Sequence, residues 1–119
     1  VKSLCRHLVD AVETIARSQS ETLPITIGLS GGSLIQQLSN ELPNFKEKLL
    51  PYSSRLRFLF CDERYVPLDH QDCTYFGFLK QNLFQMLDVK TDNVLRINPD
   101  LTLDECAQDY ENRLRDLLN

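Results

Sequence analysis

Three of the chain's four glycines fall at Gly28, Gly31 and Gly32, in the stretch Gly-Leu-Ser-Gly-Gly-Ser. They follow directly on the uncharged, β-branched run Ile25-Thr-Ile-Gly-Leu29. Glycines where a buried strand turns into a helix permit positive φ and close backbone approach. Amides of such a turn, together with the dipole of the new helix, converge on one spot and favour an anion, typically a phosphate. Ser30 and Ser33 add hydroxyl donors; Ser33 equally suits a helix N-cap. The pattern is neither Gly-x-Gly-x-x-Gly nor a P-loop, so taken alone it also fits a tight strand-to-helix turn with a capping serine.

A second chemical cluster sits at the next strand end. Asp62, Glu63 and Arg64 follow the run Arg55-Leu-Arg-Phe-Leu-Phe-Cys61 without a spacer. If the two strands are neighbours, both clusters share one sheet edge, where parallel α/β proteins bind ligands. Arg64 suits bidentate contact with phosphate. Asp62 suits positioning of a water or hydroxyl, or proton transfer. The competing interpretation is a solvated loop with an internal Asp-Arg pair. Cys61 and Cys73 flank this segment and read as inert, buried thiols; Tyr65 and Tyr75 read as packing. Lys46, Lys48, Arg55 and Arg57 read as a solvated face.

The elements that would carry these residues follow from apolar spacing. Leu4, Leu8, Ala11, Val12 and Ile15 mark a helix over 2–18. Residues 25–29 form a strand, Leu34, Ile35, Leu38 and Leu42 a second helix stopped by Pro43, and 55–61 a second strand. Residues 44–54 read as a short surface helix and loop. Phe76, Leu79, Leu83, Phe84 and Leu87 predict a helix over 74–87, and 94–97 a third strand. Thr102 and Glu105 form a capping box for a last helix running to Leu118. The order α-β-α-β-α-β-α predicts an α/β fold: a three-layer, Rossmann-like arrangement with a three-stranded parallel sheet and right-handed crossovers.

Bulk properties narrow the function. The chain has 119 residues, 42% of them apolar, and a net charge of -4. One domain is expected. The acidic balance argues against a nucleic-acid surface, and no apolar run reaches the ~20 residues of a membrane helix. Cys5, Cys61, Cys73 and Cys106 form no Cys-x-x-Cys pair, so they read as reduced and the protein as cytoplasmic, without a metal site.

Together, "ITIGLSGGS", "LRFLFCDERYVPLDHQDCTYFGFLKQNLF" and "VLRINPDLTLDECAQDYENRL" resemble the 6-phosphogluconolactonase family, which shares a superfamily with glucosamine-6-phosphate deaminase. The resemblance runs from Leu4 to Leu117. It implies hydrolysis of 6-phosphoglucono-δ-lactone to 6-phosphogluconate, in the oxidative pentose phosphate pathway, without metal or organic cofactor. It places the substrate phosphate against Ser30, Gly31, Gly32 and Ser33, and gives Asp62 and Arg64 catalytic or substrate-contacting roles. Arg64 after Asp-Glu favours the lactonase over the deaminase, where a tyrosine is expected.

Two departures stand out. Leu34 and Ile35 replace the Thr-Pro that often continues the turn, a tolerable change where backbone amides bind. The family's histidine segment, Gly-x-Gly-x-Asp-Gly-His, is absent from this sequence. His7, on the first helix, and His70, in a loop, are poor substitutes. The expectation is therefore an amino-terminal portion of one lactonase-like domain, with chain beyond Asn119 completing the sheet and little activity alone for want of a general base. The alternatives are a non-catalytic module that binds a sugar phosphate or a partner through an open sheet edge, and another isomerase or deaminase of the superfamily.

Overall fold

The computed structural model describes residues 4–118. A first helix, α1 (Leu4–Ser18), buries Cys5, Val9 and Val12 on one face. Strand β1 (Ile25–Leu29) leads through the glycine turn into α2 (Ser33–Leu49). Strand β2 (Leu56–Phe60) is followed by two short helices, α3 (Thr74–Lys80) and α4 (Leu83–Met86), then by β3 (Val94–Leu95) and α5 (Leu103–Leu118). The strands lie in the order β1-β2-β3, all parallel. The α/β fold with a three-stranded parallel sheet is as expected from the sequence.

The register explains the core. Ile25, Ile27 and Leu29 oppose Leu56, Phe58 and Phe60 on one sheet face. Five of these six side chains are buried, Ile27 being partly so. Onto that face α3 and α4 deliver an aromatic cluster, with Phe58 5.3 Å from Phe84 and Phe60 edge-on to Tyr75 at 6.0 Å between ring centres. Such pairs add to the transfer free energy of the buried rings, about 0.5–1.5 kcal/mol each.

Four local expectations change. Helix α2 does not stop at Pro43 but continues to Leu49, so the separate surface helix expected over 44–54 is largely part of it. Pro43 is exposed while Leu38, Leu42 and Leu49 are buried. The amide that proline lacks would lie on the solvent side, and burial of the leucine stripe outweighs the lost bond. The single helix expected over 74–87 is two, divided at Asn82, which takes the left-handed conformation (φ 59). That turn lets Phe78, Leu83, Phe84 and Leu87 all reach the core. A second left-handed residue, Asp88 (φ 55), ends α4, and the Val89 N–H donates to the Phe84 carbonyl at 2.8 Å, a helix stop more commonly built with glycine.

The third strand covers only Val94 and Leu95, not 94–97. Beyond Leu95 its place beside β2 is taken by a side chain. The Phe60 N–H donates to the Tyr110 hydroxyl at 3.0 Å, and the hydroxyl lies 3.1 Å from the Phe60 carbonyl. The capping box forms as expected: Thr102 N–H donates to Glu105 Oε1 at 3.2 Å, and Glu105 N–H to Thr102 Oγ1 at 3.3 Å. No helix among the described residues is long and apolar enough to cross a membrane.

Candidate anion-binding cleft

Strands β1 and β2 are neighbours in register, with Leu29 beside Phe60, and the Cys61 N–H extends the ladder to the Leu29 carbonyl at 2.9 Å. The glycine turn and the Asp62-Glu63-Arg64 segment therefore leave the sheet side by side. They line one open cleft of about 820 Å³, with Gly31, Gly32, Ile35, Thr74 and Asp72 among its walls.

The turn works as its composition requires. Gly32 sits at φ 71 and occupies the N-cap position of α2, a conformation that a residue with a Cβ adopts only under strain. Ser33 is thus the first helical residue and not the cap, and no side chain caps this end. The Ile35 N–H turns back to the Gly32 carbonyl at 3.2 Å, and the amides before it in α2 are left for water or a ligand. Gly31 is needed for a different reason: a Cβ there would lie 2.9 Å from Thr74 Oγ1. Ser30 and Ser33 are exposed on the turn, outside the cleft lining.

The three charged residues after β2 divide their work. Glu63 faces inward. Its carboxylate accepts from the Thr74 N–H at 2.7 Å, the Tyr75 N–H at 2.9 Å and the Arg64 N–H at 2.8 Å. It therefore caps α3 from ten residues upstream of Cys73, the helix's own N-cap residue, whose side chain makes no cap bond. Burial raises the Cys73 thiol above its ordinary pKa, and the neighbouring Glu63 carboxylate adds to the rise, so Cys73 is an inert protonated thiol. Asp62 and Arg64 are exposed. No ion pair joins them, and no group among the described residues binds either side chain. The internal Asp-Arg pair that the sequence left open does not form, and both side chains are available to a ligand.

The remaining candidates lie elsewhere. His7 is exposed on α1. His70 turns onto its own loop, where Nδ1 accepts the Asp72 N–H at 3.0 Å. The Asp72 carboxylate lies 3.8 Å from the same nitrogen. Neither histidine lines the cleft. All four cysteines are free; Cys5, Cys73 and Cys106 are buried, Cys73 as expected, whereas Cys61, expected to be buried too, is exposed. Its neighbour Phe60 points into the core, so in the strand alternation Cys61 takes the opposite face. Tyr65 ties the segment down through a hydrogen bond to the Leu101 carbonyl, and Tyr75 packs in the aromatic cluster. Thr74 was not anticipated; buried hydroxyls leave no periodic signal in a sequence.

The cleft's formal charges are Asp62, Glu63 and Asp72 against Arg64. The groups in it that favour an anion are Arg64 and the oriented amides, and Glu63 is offset in part by the α3 amides it binds.

A parallel α/β sheet carrying a glycine turn at the carboxyl end of one strand and free acid and guanidinium groups at the next has the architecture of the open α/β proteins, whose ligand sites form at the carboxyl ends of neighbouring strands. The model of the family "Glucosamine-6-phosphate isomerases/6-phosphogluconolactonase" matches residues 1–119, and the chain belongs to that family. It is 43% identical over 90 residues to 6-phosphogluconolactonase of Homo sapiens, an alignment covering 75% of this chain and 34% of that protein. It is 38% identical over 114 residues to the probable 6-phosphogluconolactonase of Drosophila melanogaster, covering 92% and 45%. The crystal structure of 6-phosphogluconolactonase from Thermotoga maritima superposes with a TM-score of 0.66 at 24% identity, over 93% of this chain and 49% of that one, and has the same fold. The chain thus spans between a third and a half of the length of these relatives.

Proposed function

We propose that this chain serves the hydrolysis of 6-phosphoglucono-δ-lactone to 6-phosphogluconate, in the oxidative pentose phosphate pathway of the cytoplasm. Its own contribution is to hold the substrate. The phosphate rests on the amides of Gly31, Gly32 and Ser33, with the hydroxyls of Ser30 and Ser33 at its margin. Arg64 reaches the same group or a sugar oxygen, and Asp62 orients a hydroxyl or water. What carries this reading is the pairing of Leu29 with Phe60, which sets turn and charged segment on one rim. The choice of sugar is supported by the relatives named 6-phosphogluconolactonase, since the family itself covers glucosamine-6-phosphate isomerases as well. Four unpaired cysteines suit a reducing compartment.

No histidine lines the cleft, so the proton transfers of lactone opening have no imidazole in these walls. The isolated chain is expected to bind 6-phosphogluconate and to hydrolyse the lactone little faster than water does. The test is a titration with 6-phosphogluconate followed by backbone amide shifts. Shifts centred on Gly31 and Gly32, lost in Gly32→Val, support the assignment. Binding that survives Gly32→Val places the ligand elsewhere, and fast lactone turnover would show that the cleft has a base of its own.

A further inference from the structure

Thr74 is the one buried polar residue in the core of the described residues, at 8% exposure. It stands at the first position of α3, and its main chain is accounted for, the N–H being bound to Glu63. Its hydroxyl is not: no group among the described residues hydrogen-bonds to Thr74 Oγ1. A hydroxyl on so buried a residue, with no protein partner, is left to water or to a ligand.

The geometry shows which way it points. Of the Thr74 side-chain atoms, Oγ1 comes nearest to the position of a Cβ on Gly31, at 2.9 Å, against 3.5 Å for Cγ2 and 3.8 Å for Cβ. The hydroxyl, not the methyl, is turned to the glycine turn. No side-chain oxygen or nitrogen among the described residues is both sealed from solvent and unpaired, so Oγ1 keeps an opening, and the cleft that Thr74 lines provides it. The amides at the start of α3 cannot serve a ligand, because Glu63 holds those of Thr74 and Tyr75. What α3 has left to offer is the hydroxyl.

We infer that Thr74 is a ligand-binding residue, its Oγ1–H donating to a phosphoryl oxygen seated on the Gly31-Gly32 turn. This rests on the glycine turn being the phosphate site. It also gives Gly31 a purpose: any side chain there would come between the hydroxyl and the anion.

The test uses the whole chain and two probes, inorganic phosphate and 6-phosphogluconate, each followed through the amide shifts of Gly31 and Gly32. Thr74→Val removes the hydroxyl at constant shape and is expected to weaken both probes about fivefold to tenfold. Thr74→Ser keeps the hydroxyl and is expected to stay within about twofold of the parent. If the valine variant does not fold, Thr74→Ala, which adds no methyl in the hydroxyl's place, gives the same comparison. Parent-like affinity in the hydroxyl-free variants, with the Gly31 and Gly32 shifts intact, overturns the role of Thr74 and leaves the turn as the phosphate site. A serine variant as weak as the valine one overturns it too, since the hydroxyl would then not be what matters. If neither probe moves the Gly31 and Gly32 amides of the parent, the phosphate site itself is wrong and the role of Thr74 falls with it.

Discussion

The Tyr110 hydroxyl occupies both main-chain hydrogen-bonding positions of Phe60, 3.0 Å from its N–H and 3.1 Å from its carbonyl. Phe60 is the last residue of β2, and its two groups are the ones a longer β3 would have paired. Helix α5 is thereby pinned to the strand end from which the charged segment departs. Tyr110→Phe leaves those groups without a partner at a site only 3% exposed, and is expected to destabilise by about 1–3 kcal/mol. Urea unfolding of the two proteins measures it; an unchanged midpoint would mean that water replaces the hydroxyl at no cost.

Glu63 is a structural acid beside two free ones. Glu63→Ala removes the acceptor of the Thr74, Tyr75 and Arg64 amides. A cap is typically worth about 1 kcal/mol, and a charged acceptor more, so a loss of about 1–3 kcal/mol is expected. Faster hydrogen exchange at Thr74 and Tyr75 should accompany it. Asp62→Ala, by contrast, should leave stability within about 0.5 kcal/mol, because its side chain holds nothing in the fold.

Gly31 and Gly32 should respond differently to alanine. At Gly32 there is open space around the added methyl, and only the backbone conformation (φ 71, ψ -137) resists, so about 1–3 kcal/mol is expected whatever its surroundings. At Gly31 the methyl meets Thr74 Oγ1. Combining Gly31→Ala with Thr74→Ala should recover part of that cost, whereas Gly32→Ala with Thr74→Ala should be additive. Equal coupling in both double variants would refute the distinction.

The acidic residues around the cleft should limit its hold on anions. Asp72 lines the cleft with an exposed carboxylate. Asp72→Asn is expected to tighten phosphate binding about twofold to fivefold at low salt, an advantage that shrinks as salt is added. A salt-independent change would point to altered loop structure instead.

Alkaline pH should destabilise the fold through buried acids. Burial, reinforced by Glu41, pushes the Cys5 thiol up to about 11 from an ordinary 9.0. Burial likewise raises Cys73 and Tyr110. Each group is held protonated more firmly in the fold than in the unfolded chain. The contribution of Cys5 is therefore complete below pH 9.0 and is lost as pH climbs through about 11. Cys5→Ala should flatten part of that alkaline fall in unfolding free energy; a parent-like slope would assign it to other groups.

Much of this protein was legible in the sequence because it depends on local chemistry. Alternating apolar residues at 25–29 and 55–61 specify strands, the Thr102–Glu105 spacing specifies a cap, and glycines after a strand specify a turn. The placing of Asp62 and Arg64 beside Gly31 followed once parallel pairing was assumed. What tertiary structure alone decided are the points where a distant group overrides a local rule. Burial of Leu38, Leu42 and Leu49 carries α2 through Pro43, Asn82 takes a strained conformation so that Leu83 and Phe84 can enter the core, and Tyr110 replaces half of a strand. The same holds for the acids. The sequence offers chemistry for Asp62 and Arg64 but no reason for Glu63 to differ from them in placement. Only the approach of α3, with its unsatisfied amides, draws Glu63 inward and leaves the other two to face the cleft.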